Sequence, residues 1–159
     1  ALAGDAPGRV TLVHVVAPPA AMVAGPVAYV PPQSETRDAA AAWLAGGKNR
    51  ALAMVTLTVR HRHGEALADL LAGVSKAWSR VNSCRAWKAP RGMRRRYGIG
   101  HYVWFLEITH GRNGWHPHRH MVLCLERALS DDELAALKAE LHALWAEKVT
   151  DLGLSLIHI

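Results

Sequence analysis

Cysteine is nearly absent from this chain. Its 159 residues hold only Cys84 and Cys124, far apart in sequence. Two isolated thiols exclude a disulfide framework and a cysteine-ligated zinc ribbon, and read as reduced side chains of a cytoplasmic protein. Long apolar runs are missing too. The one early candidate, residues 10–24, is broken by His14, Pro18 and Pro19 and lacks a basic start, so neither a membrane span nor a signal peptide is expected. Acidic residues are the minority charge: 13 against 19 Lys and Arg, for a net charge of +6 and a pI near 9.8. That balance favours an anionic partner such as nucleic acid, although many basic proteins bind none. Half of the residues are hydrophobic, enough for one domain with a core.

Histidine, by contrast, is concentrated. Trp115-His116-Pro117-His118-Arg119-His120 places imidazoles at alternate positions and runs straight into Met121-Val122-Leu123-Cys124-Leu125. Alternation before an apolar run predicts a β-strand with imidazoles on one face and core on the other. Asn113-Gly114 predicts a two-residue hairpin turn just before it. Centred there, the turn pairs Arg112 with Trp115, Thr109 with His118 and Glu107 with His120. Glu107, His118 and His120 then share one face, with Trp104, Leu106, Ile108, Met121, Leu123 and Leu125 on the other. Two imidazoles and a carboxylate suit Mg²⁺, Mn²⁺ or another first-row divalent ion. A bare His-x-His more often decorates a surface, and the opposed glutamate is what favours metal here. His110 and His116 are expected in loops, near this site but outside the ligand set.

Along the chain, residues 1–50 read as a poorly ordered or divergent lead-in, with a short alanine-rich helix over residues 38–44. Residues 54–61 alternate as a strand, Val55, Leu57 and Val59 toward the core and Thr56, Thr58 and Arg60 away from it. Leu67, Leu70, Leu71, Val74, Trp78 and Val81 have helical spacing. Residues 83–100 form an expected loop carrying Arg85, Lys88, Arg91, Arg94, Arg95 and Arg96 among Trp87 and Tyr97, a mixture that can track phosphates and stack bases or can simply be solvated. A second helix opens on a Ser130/Glu133 capping box and stops at Gly153. The order strand, helix, strand, strand, helix predicts an α+β fold. An antiparallel sheet carries helices on one face, as a ferredoxin-like or RRM-like β-α-β-β-α core that is incomplete at the C-terminus.

Two motifs carry a resemblance. Met54-Val55-Thr56-Leu57-Thr58-Val59-Arg60-His61 and Glu107-Ile108-Thr109-His110-Gly111-Arg112-Asn113-Gly114-Trp115-His116-Pro117-His118-Arg119-His120 together resemble the replication initiators of actinobacterial rolling-circle plasmids, members of the HUH endonuclease superfamily. The resemblance spans residues 51–153, expected as a partial nuclease domain. It implies that His118 and His120 bind a divalent ion, Mg²⁺ or Mn²⁺, with Glu107 as third ligand. It also implies that a tyrosine downstream of the histidines attacks a phosphodiester at the double-strand origin. The enzyme stays on the 5′ phosphate and the freed 3′ hydroxyl primes replication. Implied DNA contacts are Thr56, Thr58, Arg60, His61, His116, Arg94, Arg95 and Arg96. Implied partners are single-stranded or hairpin origin DNA, with host helicase and polymerase, and no membrane.

The chain departs from that pattern in places. Arg119 stands where a hydrophobic residue is usual and is expected near the sheet's end or beside an anion. The cysteine-rich segment before the first motif is missing. The only tyrosines, Tyr29, Tyr97 and Tyr102, all precede the histidines. Residues 154–159 read as a non-native, adapter-derived tail, so the expectation is the metal-binding half of a nicking enzyme without its nucleophile. Rival readings are another HUH enzyme, a transposase or relaxase, and a non-catalytic RRM-like module. The last would put aromatics on the open sheet face, where this chain offers only Phe105.

Overall fold

Period-two alternation of apolar and polar residues builds a sheet whose two faces differ sharply. A computed structural model describes residues 10–14, 27–29, 33–47, 49–59 and 64–154, with side chains from residue 37 onward. The elements are β1 (Val10–His14), β2 (Val27–Tyr29), α1 (Gln33–Ala45), β3 (Ala51–Thr58), α2 (Leu67–Ser83), α3 (Arg85–Lys88), α4 (Met93–Arg96), β4 (Ile99–Gly111), β5 (Gly114–Leu125) and α5 (Asp131–Thr150). The sheet order is β1-β3-β5-β4-β2. Its centre, β3-β5-β4, is antiparallel, β2 joins β4 antiparallel, and β1 lies parallel to β3.

This is the α+β class expected, with the run β3-α2-β4-β5-α5 in the anticipated order and compatible with a ferredoxin-like arrangement. The lead-in differs from expectation: residues within 1–34 supply both outer strands, and α1 starts at Gln33 and packs against β3, β4 and β5. The Trp43 indole N–H donates to the Leu125 carbonyl at 3.1 Å, and the Arg50 guanidinium lies over the Trp43 ring. At that end Leu52 and Cys124, paired across the strands, are buried. Burial pushes the Cys124 thiol up, opposed by nearby Arg50, so this cysteine stays an unreactive thiol.

The core lies between the sheet and α2 and α5. Val55, Leu57 and Val59 from the β3 segment and Met121, Leu123 and Leu125 from β5 meet Leu70, Val74, Trp78 and Val81 of α2 and Leu137, Leu141, Leu144 and Trp145 of α5. Each fully buried side chain of this size contributes about 1.5–3 kcal/mol. The Trp145 indole N–H donates to the Thr58 carbonyl at 2.9 Å, which ties α5 to the end of β3. Ser130 and Glu133 form the anticipated reciprocal capping box. Gly153 adopts φ 71°, and the bonds Gly153 N–H to Thr150 O and Leu154 N–H to Val149 O close a Schellman stop. Leu154, the first residue of the expected foreign tail, packs on the core. Residues 155–159 lie outside the described residues.

Candidate functional site

The hairpin decides which side chains meet. Gly111 pairs with Gly114, leaving Arg112 and Asn113 as the turn, and Glu107 therefore pairs with His118, Phe105 with His120 and Thr109 with His116. The expected register, with Glu107 against His120, is wrong by two residues. Gly114 has φ 92° and occupies the fourth turn position, where glycine is also favoured. The Asn-Gly signal thus fits a turn one step earlier in the chain. A slip of two preserves the face, because side-chain direction repeats every two residues. Glu107, His118 and His120 remain on one side of the sheet.

A chain of hydrogen bonds fixes His120. Its Nε2 lies 2.8 Å from Glu107 Oε2 and its Nδ1 lies 2.9 Å from Thr56 Oγ1. A carboxylate only accepts, so Nε2 carries a proton, and a bare Nδ1 is placed to accept the Thr56 hydroxyl proton. Acid, imidazole and hydroxyl in line is the order of a nucleophilic triad. Thr56 is 6% exposed, too enclosed to attack a substrate, so its hydroxyl positions the ring instead. The Phe105 ring stacks on His120 with centroids 4.9 Å apart.

His116 corrects the sequence reading. It lies within β5 rather than in a loop, with Nε2 3.2 Å from Thr58 Oγ1 and its ring 4.1 Å from that of His118. The Thr58 hydroxyl donates to the Pro117 carbonyl at 3.2 Å, so its lone pairs accept the His116 Nε2 proton. Pro117 is tolerated in a central strand for a local reason. The β3 ladder ends at the Thr58–His118 pair, and the missing N–H of the next residue faces the side where no β3 ladder bond remains. His110 is also in a strand, β4, and contacts Trp115 on the opposite face. Thr56 and Thr58, expected to touch DNA, are buried at 6% and 2% exposure and hold histidines. Alternation located both threonines, but only the cross-strand register reveals what their hydroxyls bind.

Among the described residues, no group of three His, Cys, Asp or Glu side chains converges to hold a metal ion. Ligands at right angles on an ion with bonds of about 2.1 Å stand roughly 3.0 Å apart, close to the 2.8 Å between Glu107 and His120. That pair fits a shared ion in place of its proton, and the Thr56 hydroxyl, able to accept as well as donate, suits the outer nitrogen of a ligating imidazole. His118 stands on the same face, but its ring lies nearly parallel to that of His120 with centroids 5.9 Å apart. The donor chemistry fits a divalent ion; the third donor does not converge in this arrangement.

The basic segment lies elsewhere. Residues 83–100 fold as α3 and α4 rather than as an open loop, and Trp87 and Tyr97 enter the core at 0% and 6% exposure, unavailable for stacking on bases. Arg94 donates to the carbonyls of Ile99 and Gly100. Arg96 and the Tyr97 hydroxyl both donate to Glu140; burial first, then that carboxylate, pushes the Tyr97 phenol up. Arg95 is exposed. Six strand residues, roughly 20 Å, separate Ile99 from Phe105, so the structure does not join Arg94, Arg95 and Arg96 to the histidines. Arg60 and His61 lie outside the described residues. Tyr102 packs on Trp78 and donates to Asn82, so neither Tyr97 nor Tyr102 is a nucleophile for the histidine face.

Arg119 points to the helix side of the sheet, as alternation requires, and it has no anionic neighbour among the described residues. Its guanidinium carbon instead sits 3.8 Å above the Trp104 ring centroid. No family model, no curated protein and no solved structure matches the chain.

Proposed function

We propose that this chain carries the metal-binding part of an HUH-type replication initiator, which nicks and rejoins one DNA strand at a plasmid origin. The observation that carries the reading is the pairing of β3 with β5, which sets Thr56 behind His120 while Glu107 and His118 share its face. Glu107, His118 and His120 would hold the ion. When bound, a divalent ion supplies neutralisation of the charge that develops on a scissile phosphate. The protein's own residues do the rest: without the ion Glu107 accepts a hydrogen bond from His120 Nε2, Thr56 fixes the ring's orientation, and Thr58 with Pro117 holds His116 beside His118. With Tyr97 and Tyr102 packed away from that face, and Tyr29 upstream of the histidines rather than downstream, the 159-residue chain is expected to form no phosphotyrosine adduct with an origin oligonucleotide.

A second reading, a non-catalytic RRM-like nucleic-acid module, is favoured by the absence of three converging donors among the described residues and by the Phe105–His120 stack. Isothermal titration with Mn²⁺ separates the two. The metal reading expects one stoichiometric event in the parent chain, lost in His118→Ala/His120→Ala while the circular dichroism spectrum is unchanged. A parent that takes up no Mn²⁺ sinks it and selects the second reading.

A further inference from the structure

On the face opposite the histidines, β4 is less completely covered than β5. Met121 there is fully buried, but its β4 partner Trp104 is 47% exposed, the one large hydrophobic side chain standing in solvent among the described residues. Beneath it lies Arg119, 6% exposed, with Leu57 and Leu106 as its strand partners and a buried Nε that has no hydrogen-bond partner among the described residues. A buried cation without a counter-ion is costly.

We propose that Trp104 and Arg119 form a stacking site for single-stranded nucleic acid: a base lies on the outer face of the Trp104 indole, and the Arg119 charge beneath the ring attracts the phosphate backbone without touching it. The guanidinium under the inner face holds the indole in one orientation, so little side-chain freedom is lost when a base stacks. A peptide carboxylate would answer the arginine but leave the indole in water. A second copy of this chain would cover the indole but bring another net charge of +6 to a patch centred on a cation. A nucleotide both stacks on the indole and carries the charge opposite to the arginine's. The site goes beyond the metal reading, because it lies on the other face and needs no ion.

The test is fluorescence anisotropy of a fluorescein-labelled oligothymidylate with the whole chain in EDTA. Trp104→Ala is expected to raise Kd roughly tenfold, the loss of one stacked base, with Trp104→Phe within about threefold of the parent. Arg119→Met is expected to weaken binding and flatten its salt dependence. Equal binding by the parent and Trp104→Ala overturns the site, as does a parent that binds no oligonucleotide. So does sedimentation showing a parent dimer that Trp104→Ala dissolves, which would assign the patch to self-association. Mn²⁺ titration of Trp104→Ala should match that of the parent, so a failed metal reading and a failed stacking site are told apart.

Discussion

The two faces of β5 are built from the same residues in alternation and held by different forces. Met121, Leu123 and Leu125 are at most 1% exposed and are fixed by packing under α2 and α5. His116 and His120, just before them in sequence, are fixed by hydrogen bonds with Thr58, Thr56 and Glu107. Packing sums many weak contacts and tolerates no gap, whereas a hydrogen bond contributes little net energy but dictates orientation and protonation. One face therefore holds the fold together, and the other keeps a chemical arrangement at small energetic cost.

The largest expected effect tests that division directly. Leu123→Ala leaves a cavity in the core and should cost about 2–5 kcal/mol, read as a lower urea midpoint with unchanged slope. His118→Ala/His120→Ala should cost about 1 kcal/mol or less, in the range of surface substitutions and lost neutral hydrogen bonds, while removing Mn²⁺ uptake. Comparable losses from the two faces would break the comparison, because the histidines would then be structural.

Thr56→Val sharpens it. The substitution keeps the shape and β-branching of the side chain but removes the hydroxyl that faces His120 Nδ1. Stability should fall by about 1 kcal/mol. The larger consequence is chemical: Nδ1 loses its hydrogen-bond donor while Glu107 still fixes the proton on Nε2, a change that the Nδ1 ¹⁵N shift of His120 would report. Thr56→Ser should restore the parent spectrum. If Val and Ser give the same ¹⁵N pattern, the hydroxyl does not orient the ring.

How much of this was legible follows from the same distinction. Alternation in β3 and β5 identified the core face and the polar face, and it did so despite a register error of two residues, because the error preserves parity. It could not show what holds His116 beside His118, since the Thr58 hydroxyl comes from β3 and local sequence does not carry the register between β3 and β5. Trp87 and Tyr97 sat among arginines and read as surface residues; a fold of two short helices turned both inward, information carried by tertiary packing and not by local composition. Arg119 was located correctly on the core side, but its partner proved to be the Trp104 indole rather than an anion. The capping box at Ser130 and the stop at Gly153 were legible because their signals are local in sequence.

The smallest expected effect carries the comparison to the surface, where neither packing nor enclosure helps. Glu133 accepts two hydrogen bonds from Arg127, at 2.8 and 2.5 Å, and one from the Ser130 backbone N–H at 2.9 Å. Arg127 first, and Ser130 after it, hold its carboxyl down from 4.5 to about 2. A carboxylate with a depressed folded value contributes its full stabilisation above the ordinary value and loses it as pH falls from about 4.5 through about 2. Because the pair is open to solvent, salt screens the contribution. Glu133→Gln keeps an acceptor for the capping box but removes the charge, so its urea midpoint should fall less steeply across that window than the parent's. Salt near 1 M should shrink the difference between the two. Parallel pH profiles for parent and variant would mean that the Arg127–Glu133 contact, unlike those at His120, fixes neither energy nor orientation.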